Sequence, residues 1–396
     1  MHTIPHIVCS AIPPHILTRV AGQTNVEASV NARATLEHMR ELAGGRAETL
    51  IPSTSLAPSE PGPPDERRRV YDARHRYELP GCLVEEPRGS DVEAAEAWDG
   101  SGATYDFFQR VFGRRSIDGK GMRLDATVHY GTRFENAMWN GQQMVYGDGD
   151  GRIFRRFTAS LDVIGHELTH GVTQHTAALG YSGQTGALNE HISDAFGIMV
   201  KQYTLGQTAD ASDWCIGTEL FGPAVHGCAV RSLALPGSAY DDPILGRDPQ
   251  PSHMRDYVHT TEDNGGVHIN SGILNHAFYL AAMSIGGWVW KGLGRIWYAA
   301  LTERLTPDAK FEDFARATID VAGRMYGRRV QQIVIAAWVD VGLHEPLPFN
   351  PELHDRGRKR RERLAANAAA RRRAQWRERF GRQRRSSTTN DRKGES

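Results

Sequence analysis

Residues 160–176 read SLDVIGHELTHGVTQHT, and the spacing of His166, Glu167 and His170 within them governs the reading of the chain. Ser160 is a suitable N-cap and predicts a helix running to about Thr176. On a helix, residues four apart lie one turn apart on one face, so both imidazoles point the same way. That is how two histidines reach one zinc ion, while Glu167 can reach a water at the metal and take its proton. The pattern is short enough to arise by chance. A helix with two surface histidines is the plain alternative, and the surrounding residues must decide.

Working outward, a second helix is predicted over about Gly186 to Leu205. It carries Asn189-Glu190-His191-Ile192-Ser193-Asp194. A catalytic zinc needs three protein ligands and one open position. A short connection folds the two helices antiparallel, so Glu190 can face His166 and His170. Asp194, one turn on, can accept the Nδ1–H of a ligating histidine and fix its tautomer. The other known arrangement, with Gly three and His six residues after the second histidine, fails because Thr173 and Thr176 stand there. Further on, Asp263-Asn264-Gly265-Gly266-Val267-His268 places a histidine at the start of a third helix, Val267 to about Ile285. His268 can donate to an oxyanion, with Asp263 orienting it; an ordinary structural histidine is the alternative.

Residues 70–157 read as mostly strand and turn, with Leu124 to Tyr130 roughly alternating and one helix from about Asp91 to Phe112. Helices dominate after Ser160. Thr306-Pro307 suggests the start of a fourth and Val330 to Val341 a fifth. Strands first and helices second imply an α+β chain, with a β-rich lobe over 70–157, a mainly α lobe over 158–346, and a cleft between them. A small unit, 1–51, precedes these with one helix over about Asn25 to Leu42. A Pro/Ser-rich linker follows (52–69) and ends in Arg67, Arg68 and Arg69, an expected proteolysis site. The net charge of zero hides an asymmetry: from Pro351 on there are 16 basic and 6 acidic residues. The tail over 347–396 is thus expected to be a solvated, basic extension beside an acidic body. No apolar run is long enough for a membrane span, and no standard secretory signal opens the chain. The four cysteines, Cys9, Cys82, Cys215 and Cys228, fit no CxxC pattern and are expected to be unpaired thiols.

Together these motifs resemble the thermolysin-like neutral metalloproteases. Asn136-Ala137-Met138-Trp139, Gly147-Asp148-Gly149-Asp150-Gly151, the HELTH stretch, Asn189-Glu190 with Ser193-Asp194, and Gly265-Gly266-Val267-His268-Ile269-Asn270-Ser271-Gly272 keep the family's order and spacing. The resemblance implies a two-lobe fold, one catalytic zinc held by His166, His170 and Glu190, and Glu167 as general base. It also implies oxyanion stabilisation by His268 with Asp263 and by Tyr181. Asn136, Ala137 and Trp139 would hold the substrate as an added strand, and Arg231 would bind a substrate carbonyl. Phe154, Phe157, Val163 and Val230 would line an apolar pocket for the residue after the cut; ordinary core is the alternative for these four. Ile12-Pro13-Pro14-His15-Ile16-Leu17 resembles the propeptide motif of the protealysin-like subgroup. That implies a self-processing precursor whose partners are its own propeptide and protein or peptide substrates, a monomer, and a secreted enzyme despite the missing signal; a cytoplasmic one is the alternative. Cys9 lies just before this motif. A thiolate capping the zinc is one reading of it and an inert thiol the other.

One departure stands out. The family's carboxylate cluster for paired calcium ions is matched by Asp162 and Asp213, but Lys201 and Cys215 replace two glutamates. A lysine between two aspartates can take the place of a divalent ion, so the paired calcium site is expected to be reduced or absent. Two other functions fit the residues less well. A zinc-holding protein without catalysis would lack Glu167, His268 or a ligand, and none is lacking. Nucleic-acid or membrane-surface binding through the tail would need more aromatic interleaving than Trp376 and Phe380 supply.

Overall fold

The computed structural model describes residues 9–24, 26–43 and 67–344. Its sheet contains six strands: β1 (Cys9–Ser10), β2 (Arg68–Asp72), β3 (Cys82–Leu83), β4 (Leu124–Val128), β5 (Ala137–Trp139) and β6 (Met144–Tyr146). Their order is β1-β5-β6-β4-β2-β3. β4 runs parallel to both β2 and β6, and the other pairs are antiparallel. All five residues of β4 are buried. The alternation expected there fails because a central parallel strand is covered on both faces.

Helix α3 (Val92–Phe112) packs against β2 and β4. It starts where Asp91 accepts from the Ala94 N–H at 3.0 Å and stops at Gly113, whose φ of 70° a Cβ would disfavour. The N-terminal unit forms α1 (Pro14–Ala21) and α2 (Val26–Ala43). Met39 and Leu42 of α2 pack on a core of Ala73, Tyr130, Phe134, Met138 and Val145.

The later helices are α4 (Leu161–Gln174), α5 (Gly183–Thr204), α6 (Asp263–Ile285), α7 (Leu293–Glu303) and α8 (Phe311–Asp340). Two short strands, β7 (Cys215–Ile216) and β8 (Arg231–Ser232), pair beside them. The α+β, two-lobe class is as expected. Antiparallel α4 and α5 approach closely because glycines meet: a Cβ on Gly197 would lie 2.4 Å from the Asp162 carbonyl oxygen. That close approach brings the two halves of the candidate metal site together.

Several expectations need correction. Thr306 and Pro307 do not start a helix. The Thr306 hydroxyl is spent on Asp308 at 2.7 Å, and α8 begins at Phe311, where the Asp313 carboxylate accepts from the Lys310 N–H at 2.9 Å. The expected fourth and fifth helices are one element, interrupted at Gly327 with φ of 75°. Helix α7 was not anticipated. Ser160 occupies the N-cap, but its hydroxyl lies within hydrogen-bond distance of the Asp162 and Glu219 carboxylates instead of capping α4. Arg68 and Arg69 are not the loose end of a linker: they open β2, opposite Leu124 and Asp125, and the Arg68 guanidinium lies over the Trp98 ring at 4.3 Å. A cut that spares the sheet must fall before them. The propeptide boundary near 51, the linker over 52–64 and the tail over 347–396 lie outside the described residues. None of the four cysteines is in a disulfide. Among the described residues no helix is long and apolar enough to cross a membrane.

Candidate active site

His166 and His170 lie on the buried face of α4, with their Nε2 atoms 3.1 Å apart. Glu190 of α5 brings one carboxylate oxygen to 3.5 Å from His166 Nε2 and the other to 3.4 Å from His170 Nε2. Ligand atoms bonded to a tetrahedral zinc at about 2.0–2.2 Å stand roughly 3.3–3.5 Å apart, so the spacing fits that ion. The far side of each ring is already committed. His166 Nδ1 faces Asp194 Oδ1 at 2.8 Å, and His170 Nδ1 faces Asn189 Oδ1 at 2.9 Å and Ser193 Oγ at 3.1 Å. An ionised carboxylate only accepts, so His166 carries its proton on Nδ1 and turns the Nε2 lone pair inward. Burial pushes the His170 pKa down to about 3, against the Glu190 charge, so its ring is neutral. Glu190 Oε2 is buried and has no hydrogen-bond partner. Two ring nitrogens and a carboxylate thus converge in a buried space, an arrangement a cation would stabilise.

Asp194 is held in turn. Arg231 of β8 donates to it through Nε at 2.9 Å and Nη2 at 2.8 Å, and Asn275 of α6 donates at 2.8 Å. Burial opposes ionisation, but the Arg231 and His166 side chains hold the Asp194 carboxyl far below its ordinary range. Asn275 was missed in the sequence. It lies seven residues after His268, two turns along the same helix face, and that period was the signal available. His191 is placed without a ligand role: its Nδ1 meets Asn275 Oδ1 at 2.8 Å and its Nε2 accepts from Trp297.

Glu167 is buried beside the metal space. Its Oε2 accepts from the Trp139 N–H at 2.9 Å, and its Oε1 has no partner. Burial first, then the Glu190 carboxylate, pushes its pKa well up. Opposite it, Asp263, Asn264, Gly265 and Gly266 all have positive φ and turn the chain into the regular part of α6. This turn lets Asp263 accept from the His268 N–H at 2.9 Å and meet its Nδ1 at 2.6 Å. Burial works against the His268 charge, but Glu190 and Asp263 lift its pKa to about 9. His268 Nε2–H can therefore donate, and it meets the Ser10 carbonyl at 3.2 Å and Tyr181 Oη at 3.3 Å. The Tyr181 hydroxyl also donates to Glu190 Oε1.

A strand already lies along this cleft. β1 pairs with β5 in the register Cys9–Trp139 and Ser10–Met138. Beyond it, the Ala11 N–H donates to the Ala137 carbonyl at 2.9 Å. The Asn136 side chain accepts from the Ile12 N–H at 2.9 Å and donates to the Ile12 carbonyl at 3.2 Å. Arg231 Nη1 donates to the Ala11 carbonyl at 3.2 Å. Asn136, Ala137, Trp139 and Arg231 are thus brought together along the chain's own N-terminal segment. Phe154, Phe157, Val163 and Val230 are all buried, with the rings of Phe154 and Phe157 6.1 Å apart. Away from the cleft, Lys201 Nζ lies 2.8 Å from Asp162, 3.0 Å from Asp213 and 3.3 Å from the Cys215 carbonyl oxygen.

Residues 65–174 match the family described as "Thermolysin metallopeptidase, catalytic domain" and residues 177–343 its "alpha-helical domain". The chain is 49% identical to an "Extracellular metalloprotease" of Pectobacterium carotovorum subsp. carotovorum, over 85% of this chain and 96% of that one. It is 44% identical to the "Protease PrtS" of Photorhabdus sp. (strain Az29), over 84% and 91%. Among solved structures it is similar to "Precursor of Protealysin, Metalloproteinase from Serratia proteamaculans", with a TM-score of 0.76 and 46% identity, covering 85% of this chain and all of that one.

Proposed function

The chain belongs to the thermolysin family of zinc metallopeptidases, and from that premise we propose which of its residues carry out peptide hydrolysis and how the precursor is held. It is a zinc metalloendopeptidase in precursor form. His166, His170 and Glu190 hold the metal. The carrying observation is the inward convergence of two imidazole lone pairs and a carboxylate oxygen without a hydrogen-bond partner. Zinc held there supplies a Lewis acid that acidifies water and polarises a carbonyl.

The remaining steps belong to the side chains. Glu167 takes the proton of the attacking water and returns it to the leaving amine. A carboxyl lifted by burial suits both tasks. His268, kept protonated by Asp263, and Tyr181 donate to the oxygen that gains negative charge. The peptide lies as an added strand on β5, held by Asn136, the Ala137 backbone and Arg231, as residues 10–12 now do. Phe154, Phe157, Val163 and Val230 favour an apolar residue after the cut. Ile12, fully buried next to Asn136, supports that preference.

Residues up to the segment before Arg67 act as a self-cleaved propeptide, and the relative's "Extracellular" name supports export. Lys201 takes the place of paired calcium ions between Asp162 and Asp213. The test is Glu167→Gln. The variant should keep one zinc by metal analysis and lose about 10²–10⁴-fold in peptide hydrolysis. It should also leave the precursor uncut, as read by N-terminal sequencing. Near-normal turnover would sink the assignment.

A further inference from the structure

Cys9 is 2% exposed. Pairing with Trp139 on β5 carries it into the cleft, and its Sγ, one donor atom of His170 and one of Glu190 lie within 4.8 Å of one another. Two further features of the same space point to a ligand. Glu190 Oε2 and Glu167 Oε1 are both buried there without a hydrogen-bond partner. The three-ligand set of His166, His170 and Glu190 also leaves one tetrahedral position open.

We propose that the Cys9 thiolate is the fourth zinc ligand in the precursor, filling the position a water needs for hydrolysis. This rests on the zinc assignment above. Binding forms one sulfur–zinc bond and releases the thiol proton to solvent. The backbone around Cys9 makes that placement rigid. Its neighbours Ser10, Ala11 and Ile12 are fixed by His268, Ala137, Arg231 and Asn136. The sulfur is therefore delivered by a strand already docked as a substrate would be, with little further ordering to offset. Two effects follow. The precursor's own segment lies in the cleft uncut, because no water can be activated beside it. Precursor zinc is also held more tightly than that of the processed enzyme.

The test uses the full chain carrying Glu167→Gln, so that it stays uncut, loaded with cobalt(II) in place of zinc. A cobalt–thiolate complex gives a near-ultraviolet charge-transfer band that nitrogen and oxygen ligands do not. The expected result is that band in the Cys9 protein and its loss in both Cys9→Ser and Cys9→Ala. Cys82, Cys215 and Cys228 remain in every sample as internal controls. Cobalt affinity by competition with a chelator should fall at least about tenfold in both variants. Cobalt bound through His166, His170 and Glu190 with no thiolate band overturns the Cys9 assignment and leaves the zinc site standing. Cobalt that fails to bind there, or whose binding survives His166→Ala, overturns the zinc site and the Cys9 assignment with it.

Discussion

At the scale of single residues, Asp194 does more than its position in the sequence suggests. It fixes the proton of His166 on Nδ1, and it is itself fixed by Arg231 and Asn275. Replacing it by Asn keeps the shape and one acceptor but removes the charge that favours a strongly basic Nε2. Partners of metal-bound histidines are worth roughly 10- to 100-fold in metal affinity. We expect Asp194→Asn to weaken zinc binding by about that factor, measured by chelator competition on protein that keeps its native circular dichroism. Unchanged affinity would mean that Asp194 serves only to neutralise Arg231. His129 gives a pH signature of its own. Its ring joins Asp148 and Asp91, each at 3.1 Å, with His75 also beside Asp148. The Asp148 hydrogen bond, against burial and with help from Asp91, lifts its pKa from 6.5 to about 9. A raised folded-state value stabilises fully below pH 6.5, and that contribution is lost as pH rises through 9. The melting temperature of His129→Gln should therefore fall furthest below the parent near pH 6 and rejoin it near pH 10. A gap independent of pH would point to packing instead.

At the scale of elements, the legible parts were those whose spacing is dictated by a helix. The spacing of His166, His170, Glu190 and Asp194 is enough to bring them together, because an i, i+4 pair on one helix and an i, i+4 pair on its antiparallel neighbour meet at one point. Helix starts were less legible. Thr306-Pro307 carries better start signals than Lys310, yet Asp313 bonding back to the Lys310 N–H decides the start of α8. Nor could β1 be found, since two residues have no periodicity and their pairing depends on a strand more than 120 residues away. Lys201 is a legible substitution with a checkable consequence. It joins α5 to Asp162 on α4 and to Asp213 in the loop before β7. Lys201→Met would leave two carboxylates facing each other, one of them fully buried. Removing one partner of a buried pair costs about 3–5 kcal/mol. We expect a loss of that order in urea unfolding, partly restored by added calcium. The parent should show no tight calcium binding in this region by calorimetry; two tight ions would refute the replacement.

At the scale of the whole molecule, the N-terminal unit grips the catalytic body at two places of different character. Residues 9–12 lie in the cleft as an added strand. Helix α2 packs on the sheet core. There His38 Nε2 meets Tyr130 Oη at 2.8 Å, Thr35 accepts from the Glu135 N–H, and Met39 and Leu42 cover Tyr130, Phe134, Met138 and Val145. Neither contact depends on the covalent connection through residues 44–66. Cutting that connection removes the tether, which acts as a high effective concentration. Cleavage and activation should therefore be separable. A precursor cut between residues 44 and 66 should keep its N-terminal unit on gel filtration and remain inhibited, gaining activity only as that unit dissociates or is degraded. His38→Ala combined with Met39→Asp removes a buried hydrogen bond, worth about 1–3 kcal/mol, and places a charge on the apolar contact. That variant should release the unit at least about tenfold faster after the cut, with activity rising in step. Full activity at the moment of cleavage, with the unit still bound, would show that the docked strand does not block the cleft.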